Sequence, residues 1–145
     1  AMSGLDSIAV TTEPPGSAAQ EWGNAMPVLH EIRHGLARLA QTGESTLIDL
    51  RAMPFGPGDE DRLLALIGTG EVQANLEALG TTRILESAVP GVWLVDHYNA
   101  ENERIALHIE IGTVPGILCT QPEDVRAAVG LLDARLAERA IGATE

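Results

Sequence analysis

Glu71-Val72-Gln73-Ala74-Asn75-Leu76-Glu77-Ala78 is apolar at every second residue, and Arg104-Ile105-Ala106-Leu107-His108-Ile109-Glu110-Ile111 repeats the alternation. A period of two sends successive side chains to opposite faces of a sheet, so both stretches predict half-buried strands. Between them, Gly80 turns the chain into Thr82 to Val89, Pro90-Gly91 marks another turn, and Val92 to Tyr98 is a β-rich run ending at the polar loop Asn99 to Glu103. Parallel neighbours need crossovers of a dozen or more residues. Connections this short therefore predict an antiparallel meander.

Upstream the period changes to 3.6. Val28, Leu29, Ile32, Leu36 and Leu39 form one stripe, with Pro27 in the first turn and Gly43 just past the end, which predicts a helix over 26–41. Leu47, Ile48 and Leu50 make a short buried strand. Asp59 is expected as the N-cap of a second helix closed by Gly68, with Glu60 and Asp61 favourably placed in its first turn. Thr120-Gln121-Pro122-Glu123 reads as a capping box before a third helix running to about Ala140, with Val125, Val129, Leu132 and Leu136 on one stripe. The expected fold is α+β: an antiparallel meander of about four to five strands with three amphipathic helices packed on it. Residues 1–23 are small, polar and turn-rich and are expected to be a flexible arm, leaving 24–142 as one domain; Ala1 ahead of Met2 reads as a remnant of tag cleavage.

Composition excludes several function classes. The 145 residues carry a formal charge of -12, with 21 Asp and Glu against nine basic residues, all Arg, so phosphate-rich partners are repelled. Aromatic residues are 3% of the chain, too few for base-stacking platforms, and nucleic acid is not expected as a partner. No apolar run reaches the ~20 residues of a membrane span. No secretory signal is visible, so neither a membrane nor export is expected, and the cytoplasm is the expected location. Cys119 alone cannot build a disulfide, a C-x-x-C pair or a four-cysteine metal site; in its apolar surroundings it is expected to be a buried, inert thiol.

His30-Glu31-Ile32-Arg33-His34 matches H-E-x-x-H, in which two imidazoles one turn apart bind zinc and the Glu activates a water. His30 and His34 nevertheless fall on the polar side of their helix, opposite Ile32 and Leu36, with no third ligand downstream on that element. The expected reading is a solvated helix face, with a metal-dependent hydrolase as the enzyme-class rival. If residues 100–103 form a hairpin loop, Trp93, Val95 and His97 share a face with Arg104, Ala106, His108 and Glu110, and His97, His108 and Glu110 approach one another. A one-residue slip would separate them, so this cluster too is first read as sheet surface. Ser45 and Ser87 lack a nucleophile elbow, and Gly68-Thr69-Gly70-Glu71 has no Lys and an ill-placed acid for a phosphate loop. Neither a cofactor nor a catalytic residue is expected.

Leu66-Ile67-Gly68-Thr69-Gly70-Glu71-Val72-Gln73-Ala74, followed by Thr82-Arg83-Ile84-Leu85-Glu86-Ser87-Ala88-Val89-Pro90-Gly91-Val92-Trp93, resembles the HupH/HyaF hydrogenase expression/formation family. The Leu29 to Leu39 helix and the Ile48-Asp49-Leu50…Met53-Pro54 segment are similar to it too, so the likeness spans about residues 26 to 135. Members of that family are usually longer, and this chain looks like their C-terminal conserved domain. The resemblance implies an accessory, chaperone-like protein for maturation of an uptake [NiFe] hydrogenase; beside it stand the metal-dependent hydrolase and, as the third reading, a generic protein-interaction domain. It also implies as partners the iron–sulfur small subunit or its precursor and other maturation factors, without catalytic residues; a homo-oligomer is compatible with it. On that footing Gly70, Glu71, Glu86, Pro90, Gly91 and Trp93 form the expected partner surface, with Trp93 either an exposed anchor or part of the core. A basic leader segment would suit the acidic chain, and an open edge strand over Glu71 to Ala78 would offer backbone pairing.

Overall fold

The computed structural model describes residues 23–144, so the expected N-terminal arm lies outside the described residues apart from Gly23. The elements run α1 (Ala25–Thr42), β1 (Thr46–Asp49), a 3-10 turn (Leu50–Ala52), α2 (Asp59–Ile67), β2 (Gln73–Glu77), β3 (Thr81–Glu86), β4 (Val92–Tyr98), β5 (Arg104–Ile111), a second 3-10 turn (Gly116–Leu118) and α3 (Pro122–Thr144). This is the expected α+β arrangement: one five-stranded sheet, every neighbouring pair antiparallel, in the order β1-β5-β4-β3-β2. The last four strands form the meander. The first pairs with the last, Thr46 with Ile111 and Ile48 with Ile109, so among the described residues the sheet ends in two open edges, β1 and β2.

Val28 and Ile32 of α1, Leu63 and Ile67 of α2, and Ile48, Val92, Leu107, Ile109 and Ile111 of the sheet form one buried cluster. A Cβ on Gly35, in the middle of α1, would lie 2.6 Å from Ile111 Cδ1, so glycine lets helix and sheet approach here despite its cost inside a helix. Gly43 ends α1 in a left-handed conformation, φ 79°, its N–H bonded to Leu39 O.

Three local expectations are corrected. Asp59 is the first residue of α2 rather than its cap. Its buried carboxylate accepts from Gly56 N and from Arg62 Nη1, each at 2.7 Å, and so ties the preceding loop to the helix. The Thr120 capping box gives way to a start at Pro122, where the ring's fixed φ and missing N–H suit the first helical position, and the Gln121 carbonyl accepts from Asp124 and Val125. Cys119 is exposed rather than buried. Contacts divide the chain into two compact units at Thr113 and Val114. Within the second, α3 carries Val125, Val129, Leu132 and Leu136 along one side, all exposed. No helix among the described residues is long and apolar enough to cross a membrane.

Candidate functional site

The two sequence blocks that carry the resemblance fold against each other. Gly68 closes α2, and the chain then passes beside the end of β3. Gly70 donates its N–H to Glu86 O at 2.7 Å, and the Glu86 carboxylate accepts from Glu71 N at 3.0 Å and Val72 N at 3.1 Å. Hydrogen bonds from amides to an ionised carboxylate are about twice as strong as neutral ones, so this side chain holds the loop in register with the strand. A Cβ on Gly70 would meet Ser87 O at 2.5 Å and Glu86 Oε1 at 2.7 Å; proximity, not an unusual φ, demands glycine. On the other side Ala88 N donates to Ile67 O at 2.9 Å.

Beyond β3 the chain reverses at Val89-Pro90-Gly91-Val92, closed by Val92 N to Val89 O at 3.0 Å. Gly91 has φ 91°, as the third residue of a type II turn requires, and Pro90 presets the second. Ser87, buried, both donates to and accepts from Val89. Trp93 is 7% exposed and donates its indole N–H to Gly112 O at 3.2 Å.

The expected contact residues therefore do gather, in different environments. Glu71 and Pro90 are exposed, Gly70, Glu86 and Gly91 are half-buried, and Trp93 is buried. Two hollows flank the interlocked loops. A small one of about 160 Å³ is walled by Leu64, Ile67, Leu85 and Leu94, and an open one of about 320 Å³ is lined by Thr69, Glu71, Glu86 and Pro90. From Glu71 the chain runs straight into the open edge β2. Glu86 N bonds Val72 O and Ala78 N bonds Gly80 O, so by alternation Gln73, Asn75 and Glu77 turn their N–H and C=O away from β3.

His30 and His34 lie exposed on α1, and among the described residues no three His, Cys, Asp or Glu side chains are grouped to hold a metal ion. His97 and His108 do meet on the sheet face opposite α1 and α2, ring centroids 5.5 Å apart, with Thr82 Oγ1 2.8 Å from His97 Nδ1. Burial, and then the neighbouring His97, lower the His108 pKa below the ordinary value of 6.5. Arg104, expected on that face, is on the other one: a register shift between His97 and Tyr98 turns it toward α2.

There Arg104 makes a contact that no sequence signal announced. It donates to both oxygens of buried Asp96, at 2.8 and 3.1 Å, and reaches Glu60 of α2 at 3.3 Å. Its pKa rises above the ordinary arginine value, chiefly through the bond to Asp96. Asp96 and Arg104 are each unremarkable inside strand patterns, and only the bulge makes them partners.

Fold and site define an α+β domain with two interlocked loops beside an open sheet edge. The chain belongs to the HupH hydrogenase expression protein family: the model of that family's C-terminal conserved region matches residues 23–139. It is 32% identical over 104 residues to the hydrogenase expression/formation protein HoxQ of Azotobacter vinelandii, which covers 70% of this chain and 37% of that protein. It is also 32% identical over 103 residues to HupH of Rhizobium leguminosarum bv. viciae, covering 71% and 36%. The chain thus spans little more than a third of those relatives. A solved structure of hydrogenase expression protein HupH from Thiobacillus denitrificans matches with TM-score 0.76 and 42% identity, over 80% of this chain and 97% of that one.

Proposed function

We propose that this domain serves hydrogenase maturation as a chaperone-like binding module rather than an enzyme, holding the iron–sulfur small subunit or its precursor. The match of residues 23–139 to the family's conserved region carries the reading. The geometry supports a mode of binding: Glu71 and Pro90 sit exposed on a loop pair locked by Glu86, and the outward groups of Gln73, Asn75 and Glu77 can accept an extended segment as a sixth strand. Glu71 and Glu77 border that edge, so a basic segment is the complementary partner.

Affinity capture of the tagged chain from cells expressing a hydrogenase operon tests this, with mass spectrometry and metal analysis on the same eluate. The expected result is the small-subunit precursor, in an amount that falls with added salt and is lost with Asn75→Pro, which removes an outward N–H without breaking an internal bond. Recovery of no hydrogenase component would overturn the proposal, and stoichiometric zinc in its place would direct mutagenesis to His30 and His34.

A further inference from the structure

The other sheet edge differs in kind. Gly112 N bonds Gly91 O, so alternation along β5 leaves Ile109 and Ile111 to bond Ile48 and Thr46 of β1. Leu47 and Asp49 then turn their N–H and C=O outward. The Leu47 side chain is 63% exposed on the face opposite the helices, close to Ile105, itself 60% exposed. Natural edges are commonly blunted by shortness, charge, Pro or a bulge; β1 is four residues long and carries Asp49, but no Pro or bulge interrupts it.

Above the opposite face of β1, exposed Glu31, His34 and Arg38 follow one another along a single side of α1 and border a hollow of about 260 Å³ floored by Thr46, Leu47 and Ile48. On a chain of charge -12 this edge is balanced on both faces: Glu31 stands against Arg38 beside the strand on the helix side, and Asp49 against Arg51 on the other. A balanced strip has little to offer a strongly basic or acidic segment. It does have the symmetry to recognise itself.

We propose that β1 is a self-association edge, on which a second copy of this chain pairs antiparallel about a two-fold axis at Leu47. An isologous contact places each residue opposite its counterpart's mirror position in the sequence. The Leu47 N–H of each copy donates to the Leu47 C=O of the other, Asp49 pairs with Ser45, and the two exposed leucines cover one another. The same axis sets Glu31 of one α1 against Arg38 of the other, twice, with His34 between them. The two five-stranded sheets become one continuous sheet, and both β2 edges stay open, so the assembly would present two copies of the surface proposed above.

Sedimentation of the full chain over a concentration series tests the proposal. The expected result is a concentration-dependent rise from 15.3 kDa toward twice that mass. Leu47→Pro, which removes the outward N–H and the exposed leucine side chain but no hydrogen bond within the sheet, is expected to stay monomeric with an unchanged circular dichroism spectrum. Glu31→Arg and Arg38→Glu are each expected to weaken the dimer about tenfold, because symmetry breaks two pairs at once, while the double swap restores it. Monomer throughout, up to about 1 mM, would overturn the proposal. So would a dimer indifferent to Leu47→Pro, or a double swap weaker than either single variant. Should Leu47→Pro fail to fold, the charge-swap series decides alone.

Discussion

Replacing Trp93 separates its two possible roles, since an interface anchor and a core residue respond differently. The indole is 7% exposed and its N–H is bonded to Gly112 O at 3.2 Å. Truncating a buried Trp to Ala costs about 3–5 kcal/mol through lost transfer energy and the cavity left behind. Trp93→Phe keeps most of the apolar surface but leaves the Gly112 carbonyl without this donor, at about 1 kcal/mol, with a further fraction for the smaller ring. The pair should therefore lie in the order wild type, Phe, Ala, with a total span of about 3–5 kcal/mol, a drop in Tm of roughly 10–20 °C for a domain of this size. Urea unfolding followed by far-ultraviolet circular dichroism is the assay, because Trp22 complicates fluorescence. The slope against urea should stay unchanged, which would assign the loss to the folded state. A loss below about 1 kcal/mol for Trp93→Ala, together with abolished capture of hydrogenase components, would refute the core reading and make the indole an interface anchor.

Gly70→Ala should cost about 1–3 kcal/mol, since the new methyl meets the Ser87 carbonyl; hydrogen exchange of the Glu71 and Val72 amides should speed up in it and in Glu86→Gln, and unchanged exchange would refute the locking role of Glu86. Arg104→Met should destabilise by about 1–3 kcal/mol by leaving buried Asp96 without its partner, whereas adding Asp96→Asn should recover part of that loss; additive costs in chemical unfolding would show the two residues to be uncoupled. The lowered His108 pKa means the unfolded chain binds more protons in the window below 6.5, so stability gained above that pH is lost as pH falls through it. His108→Gln should flatten this dependence in unfolding measured between about pH 5 and 8, and an unaltered slope would assign it to other groups, of which His97, Asp49 and Glu110 act on this ring.

Local pattern was enough for the elements themselves. Alternation over Gln73–Glu77 and Arg104–Ile111, the turn at Pro90-Gly91 and the caps at Gly43 and Gly68 depend on each residue's own backbone preference and on neighbours a few positions away, and short connections left antiparallel pairing as the geometry within reach. The likeness of the Gly68 to Trp93 blocks to one family was equally legible, because it resides in residue identity and spacing.

What lay beyond the sequence were the choices that couple distant segments. Nothing in Thr46–Asp49 indicates that it pairs with the last strand rather than the next, yet that choice creates the β1 edge and buries Ile48 against Ile109. The exposed Glu31-His34-Arg38 strip gains meaning only once that edge lies beneath it. Nor could alternation assign Arg104 to its face, since Ile105, left unpaired opposite the step from His97 to Tyr98, puts Arg104 on the face opposite Ala106, and Asp96 and Glu60 supply the charge that makes the reversal favourable. Sequence determined which segments become helix or strand because those preferences are local; tertiary structure alone decided partners, edges and faces, because burial and pairing energies are collected only between residues that the chain separates.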